Sequence, residues 1–375
     1  MQADVTQGEP RPGIVNLDPG YLDPELLPVE LLGRWTRRAL RRWGTQTLGY
    51  GADAGPLPLR AALAGRLAGC TPANVVTTAG TSAALDQLAL LLAAQGRTLL
   101  TEASTYDLGR RIFEARGVPV RPVPGPVDDV DVDAFARAAR SAARASGRAP
   151  AMYLIPTFHN PTGRVLPAER RRALVELAER EGMFVIEDQA YTDLSFGAPP
   201  PPPLWTYAED RDRVVALYSF AKCLAPGLRA GWLVTGERLA AELAADPVRH
   251  SGGGPTHFTV MAVAAGCADG DLDRRIVTLR QQLRARRDAL LGALDGALPP
   301  EFEVITPHGG FFAWVRLPPA SDSAALRLRA EQCGVSYADG RRFGAEPGAR
   351  LCFAAAGPDR LREGAARLIE AWRRG

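Results

Sequence analysis

Lysine is all but missing from this 375-residue chain: of its 45 lysine and arginine residues one, Lys222, is lysine, so 44 are arginine. Histidine is scarce, with four residues, and the five cysteines (Cys70, Cys223, Cys267, Cys333, Cys352) include no C-x-x-C pair. These shortages exclude a disulfide framework and a zinc site, and reduced cytoplasm is the expected setting. An excess of one charge is also lacking. The formal net charge is +3, and no basic block is long enough to follow a phosphate backbone, which excludes nucleic-acid binding. The neighbouring arginines Arg110 and Arg111, Arg170, Arg171 and Arg172, and Arg286 and Arg287 are expected on solvated helix faces. Apolar runs such as residues 88–94 fall far short of the roughly 20 residues of a membrane span. Residues 1–13 are polar, contain Asp4 and Glu9, and have neither the basic nor the apolar region of a secretory signal.

What remains is a globular composition, 46% hydrophobic and 23% charged, long enough for two domains or one large α/β unit with a satellite. From Val75 onward short apolar runs alternate with stretches of helical period, the pattern of a mostly parallel sheet covered by helices. Strands are expected at residues 75–78, 97–101, 152–155, 183–186, 214–218 and 232–235, with helices at 81–94, 106–116 and 167–181. Residues 272–298 form a long arginine-studded connector helix. Beyond it a hairpin over 302–317 turns at Gly309 and Gly310, a helix covers 323–333, a strand 350–354 and a closing helix 359–374, giving a smaller α+β domain. A helix over 28–42 is too short to fold alone. The division expected is residues 1–45 as an N-terminal arm and helix packing with the small domain, 46–285 as the large domain and 286–375 as the small one. The prolines at 199–203 are expected to form a stiff surface spacer.

The lone lysine lies at the end of an apolar strand, in Ser219-Phe220-Ala221-Lys222, with Arg229 shortly after. A partly desolvated lysine loses its proton readily and joins aldehydes, which a guanidinium cannot do. An anionic group on such an aldehyde needs donors, and Gly80-Thr81-Ser82 opens a helix whose N-terminus supplies them. A pyridine ring used as an electron sink needs a carboxylate at its nitrogen. Asp188 ends an apolar strand and Tyr191 follows three residues later, while Asn160 lies in Asn160-Pro161-Thr162-Gly163 at another strand end. Ligands of open α/β sheets bind outside the carboxyl ends of the strands, where these segments converge.

In order and spacing, Gly80-Thr81-Ser82, Asn160-Pro161-Thr162-Gly163, Asp188-x-x-Tyr191, Ser219-x-x-Lys222 and Arg229 resemble the pyridoxal-phosphate enzymes of fold type I, in particular the class I/II aminotransferases. The set is similar to the branch holding 2-aminoadipate aminotransferases and the aminotransferase domains of MocR regulators. The resemblance implies a large domain with a mostly parallel seven-stranded sheet flanked by helices, and a smaller α+β domain built from the N-terminal segment and the C-terminal region. It implies pyridoxal 5'-phosphate as cofactor and transfer of an amino group from an L-amino acid to a 2-oxo acid. The same pocket on the same fold also serves elimination, replacement, decarboxylation or cyclisation, the alternative reading. An effector-binding half of a regulator would need a winged helix-turn-helix, for which the roughly 40 residues before the large domain are too few.

The resemblance also assigns roles. Lys222 forms the internal aldimine and moves the substrate Cα proton; Asp188 pairs with the pyridine nitrogen; Tyr191 and Asn160 hydrogen-bond the ring hydroxyl. Gly80, Thr81, Ser82, Ser219 and Arg229 hold the phosphate, Tyr106 stacks on the ring, and Tyr50 reaches the phosphate of a neighbouring subunit, which implies a homodimer. Arg350 takes the substrate carboxylate, faced by Gly20 and Asn160. Four positions depart from the family: Leu22 where proline is usual, Ala221 where serine is common, Ser82 where this branch often has glutamine and His257 where an apolar or amide residue is frequent. His257 reads either as a surface-loop histidine or as part of the partner's site, His308 is open in the same way, and Cys223 reads as a small filler.

Overall fold

The computed structural model describes residues 11–344 and 347–373; Asp4, Glu9 and Arg374 lie outside them. The central feature is a seven-stranded sheet in the spatial order 75–78, 231–234, 214–219, 184–188, 151–154, 99–102, 120–123. Gly231–Val234 alone runs antiparallel to its two neighbours; the other pairings are parallel. Because strand side chains alternate between faces, neighbouring residues feed two separate cores. Val76, Leu99, Ala151, Ile186 and Val215 join one core, capped by Ala84, Leu85, Leu88 and Leu92 of the helix Thr81–Ala94. Val75, Leu100, Met152, Val185 and Ala216 join the other. Both faces are covered, so the central strands read as unbroken apolar runs.

The strand Val120–Val123 and the helix Val132–Ser146 went unrecognised in the sequence. That strand lies at the sheet edge and carries exposed Arg121 and Pro122, the polar and proline-bearing composition edges tolerate.

The long helix Asp271–Leu294 leads to a four-stranded antiparallel sheet in the order 338–339, 348–352, 312–316, 303–305, covered by the helices Ser323–Gln332 and Pro358–Arg373. Val15–Asn16 pairs in parallel with Val335–Ser336. The helix Val29–Trp43 lies along His257–Ala268. Trp35 is fully buried against Gly266, where a Cβ would fall 2.3 Å from the indole, and its Nε1 donates to Asp271 Oδ2 at 3.1 Å.

Two arginine pairings correct the expectation of solvated helix faces. Arg171 is fully buried, because helical period turns it to the inner face of Ala168–Arg180 beside Leu174 and Leu177. There it donates to the carbonyls of Leu166, Pro156, Pro201 and Pro202 and to Thr157 Oγ1. The proline spacer is therefore tied to the interior. Arg286 is also buried, donating to Ala356 O and facing Asp23 Oδ2 at 3.4 Å.

Candidate active site

Four parallel strands end on one edge, and the loops leaving them carry the residues of interest. Lys222 follows Ser219, the last residue of Val214–Ser219. Its Nζ donates to Gly20 O at 2.6 Å and lies 5.6 Å from the ring centre of Tyr191 and 5.8 Å from that of Phe311. Burial brings the amine down from its usual 10.5 to about 8; the nearby Arg350 and Arg229 act in the same direction, against Cys352 and Asp188. At neutral pH a useful fraction is then unprotonated.

Asp188 closes the strand Phe184–Asp188 and is buried, which raises its pKa. Its two oxygens are held separately: Oδ1 accepts from Ala190 N at 3.0 Å and Oδ2 from Tyr153 Oη at 3.1 Å. Tyr191 is buried edge-on to Phe311 and Phe312, with centroids 5.3 and 5.6 Å away. Tyr106 precedes the helix Asp107–Ala115. Burial, then the charges of Asp188 and Asp107, push its phenol up to about 12, so it shares the electrostatic surroundings of Asp188.

An anion cradle lies beside them. Gly80 has φ +88°, a conformation suited to glycine, and a Cβ there would fall 2.7 Å from Arg229 Nη2. The helix Thr81–Ala94 begins after Gly80 with no side-chain cap, leaving its first N–H groups, those of Thr81 and Ser82, for a ligand. Arg229, itself in the left-handed region at φ 45°, donates to Ala79 O at 2.9 Å. Thr78 Oγ1 is buried next to the cradle with no partner. Ser219 Oγ accepts from Ala221 N at 3.1 Å. An anion-binding helix end, a buried carboxylate and a near-neutral amine fit a phosphorylated pyridine aldehyde.

Arg350, on Gly348–Cys352, stands on the facing side. Its Nη1 donates to Asn160 Oδ1 at 2.7 Å and its Nη2 to the Asp18 carbonyl. Phe312 and Phe343 flank the guanidinium, with centroids 4.2 and 4.6 Å away. Gly20 passes so close that a Cβ would fall 3.0 Å from Phe312 Cζ.

Not every expected residue joins this cluster. Tyr50 is 91% exposed and lines a separate cavity of about 560 Å³ with Arg249, Gly252 and His257. His257 starts a helix and its Nε2 lies 3.0 Å from Gln46 O. His308 is exposed. Cys223 is buried, which raises its pKa, as befits a filler.

The sequence reading passed over several residues. Tyr153 is one. Behind Asn160, Glu102 pairs with Arg164, and its Oε2 lies 3.2 Å from His159 Nε2. Against burial, which would raise it, Arg164 and then His159 hold Glu102 down at about 2. Arg342 Nε donates to Asp107 Oδ2 at 2.8 Å, tying the turn Gly340–Phe343 to the loop of Tyr106. The signal available was a buried-strand carboxylate, Glu102, followed by charged residues near Asn160; nothing in the spacing marked Tyr153.

Comparison with known proteins gives the family and the fold. The family model for aminotransferase class I and II matches residues 23–368. The chain is 30% identical to aromatic-amino-acid aminotransferase 1 of Thermococcus litoralis, over 95% of this chain and 87% of that protein. It is 32% identical to 2-aminoadipate transaminase of Thermus thermophilus, over 96% of this chain and 90% of that protein. The structure of alpha-aminoadipate aminotransferase from Thermus thermophilus, complexed with N-(5'-phosphopyridoxyl)-L-leucine, superposes with a TM-score of 0.86 at 31% identity, covering 96% of this chain and 92% of that one.

Proposed function

The chain belongs to the class I and II aminotransferases, and from that membership we propose how its residues divide the work. The protein is a pyridoxal-phosphate-dependent aminotransferase that moves an amino group from an amino acid to a 2-oxo acid. Pyridoxal phosphate, when bound, supplies an aldehyde that takes up amines and a ring that accepts the electron pair of a broken Cα bond.

In our reading Thr81 and Ser82 N–H groups, Ser219 and Arg229 hold the phosphate, Asp188 keeps the ring nitrogen protonated, and Tyr191 and Asn160 hold the ring hydroxyl. Tyr106 would pack against the ring. Lys222 Nζ is the amine that would meet the aldehyde, and it would hold and move the proton of the substrate Cα. Arg350 would grip the substrate carboxylate and so fix which Cα bond is presented for cleavage. The observation that carries this reading is the one lysine, partly buried beside the rings of Tyr191 and Phe311 with its pKa brought to about 8.

The assignment extends to assembly and place. Two domains, residues 46–285 and 286–375, with the helix Val29–Trp43 belonging to the larger, account for the seven-stranded and the four-stranded sheets. Tyr50, with exposed Leu48, Val248 and Phe258, presents an apolar surface suited to a second copy of the chain, whose phosphate Tyr50 would reach. Sedimentation should then report a dimer. Among the described residues no helix is long and apolar enough to cross a membrane, and the free cysteines are in keeping with a cytoplasmic setting.

The test is a half-reaction. Mixing the cofactor-loaded protein with L-amino acids and no oxo acid should convert the cofactor to its amine form and release one 2-oxo acid per site. Release of ammonia or thiol would replace transamination by elimination.

A further inference from the structure

One carboxylate at the mouth of the site has no part in the reaction so far. Asp18 lies on the segment that leads to Gly20, and its Oδ1 stands 3.6 Å from Arg350 Nη2 and 3.4 Å from Arg342 Nη1. Among the described residues it is the only carboxylate within ion-pair distance of Arg350.

Arg350 is a demanding cation. Its side chain is 6% exposed, its Nε is buried without a partner, and its terminal nitrogens donate to neutral acceptors, Asn160 Oδ1 and the Asp18 carbonyl. A buried guanidinium held by neutral groups and aromatic faces retains a strong preference for a carboxylate. Asp18 meets that preference loosely. At 3.6 Å the contact is longer than a hydrogen bond, and the Asp18 side chain is 39% exposed.

The backbone nevertheless keeps Asp18 in place, through the Arg350 bond to its carbonyl and the Cys352 N bond to Leu17 O at 2.8 Å. Arg342 is fixed from the other side by buried Asp107, so its terminal nitrogens face Asp18. Two carboxylates at one guanidinium repel each other. With Arg342 alongside, an arriving carboxylate and Asp18 meet two cations rather than one.

We propose that Asp18 is the resident counter-ion of Arg350, that the α-carboxylate of the substrate displaces it, and that Arg342 receives it. Asp18 and Arg342 are then positioning residues that set how tightly any α-amino acid binds. This rests on the reading of Arg350 as the partner of the substrate carboxylate.

The experiment compares two amines on the cofactor-loaded enzyme, 2-aminoisobutyrate, which has no Cα hydrogen to lose, and isopropylamine, the same skeleton without the carboxylate. Apparent dissociation constants are read from the cofactor absorbance, and melting temperature is followed beside them. Asp18→Asn should tighten 2-aminoisobutyrate about fivefold and leave isopropylamine unchanged, the scale of one partly exposed ion pair. Asp18→Ser should do the same. Arg342→Gln should weaken 2-aminoisobutyrate, and that loss should disappear in the Asp18→Asn background, a coupling that separate structural defects would not produce. Unchanged or weaker carboxylate binding in both Asp18 variants, or equal responses of the two amines, would overturn the proposal. Absence of any spectral response in the wild type to either amine would instead overturn the reading of Lys222, and this inference with it.

Discussion

Tyr153 Oη donates to Asp188 Oδ2 across 3.1 Å, from one parallel strand to the end of the next. The bond favours the charged carboxylate, which burial alone disfavours, so Tyr153 supports the group that would keep the cofactor ring protonated. Tyr153→Phe removes one buried hydrogen bond, worth about 1 kcal/mol. Affinity for pyridoxal phosphate, measured by titrating the cofactor-free protein, should fall roughly fivefold with little change in melting temperature. Unchanged affinity would remove Tyr153 from the site.

Lys222 should announce itself through pH. Its pKa lies near 8 rather than 10.5, and the reactive form is the free amine, so cofactor capture by the cofactor-free protein should accelerate as pH rises and level off above about 8. A rate still climbing at pH 10 would contradict the burial argument. Lys222→Ala should abolish capture and turnover together.

Glu102 ties the loop of Asn160 to the strand edge through Arg164. Its folded pKa, about 2, is below the ordinary 4.5. The stabilisation is therefore complete above pH 4.5 and is lost as pH falls from there toward 2. Glu102→Gln should cost about 3 kcal/mol near pH 7, because Arg164 is left buried and unpaired, and should flatten the acid limb of the stability curve over that window. Urea titrations at several pH values measure both effects.

Arg171 holds four carbonyls and a hydroxyl at once. Arg171→Met keeps the aliphatic volume and leaves those acceptors short of donors, so a loss of about 3 kcal/mol is expected in denaturant unfolding. A change below about 0.5 kcal/mol would return Arg171 to the class of surface arginines.

These pairings explain what the sequence could and could not disclose. Gly80, Asn160, Asp188 and Lys222 were legible because each closes or follows a buried strand of the large sheet, and such strands deliver their ends to one edge. Asp18, Tyr153 and Arg342 were not, since their meaning lies in partners distant in the chain. Arg171 and Arg286 were hidden by abundance: among 44 arginines a buried one has no compositional mark. The apolar stripe of the helix Val29–Trp43 shows that it packs, but its contact with His257–Ala268 is not written in that stripe.

The Lys222 amine held against Gly20 O carries a practical consequence, since it is the only side-chain amine in these 375 residues. Within them small amine-reactive reagents have as targets an α-amino group and Lys222. Cofactor should shield the second and not the first, so the difference in label uptake between loaded and cofactor-free protein counts competent active sites directly, before any substrate is known.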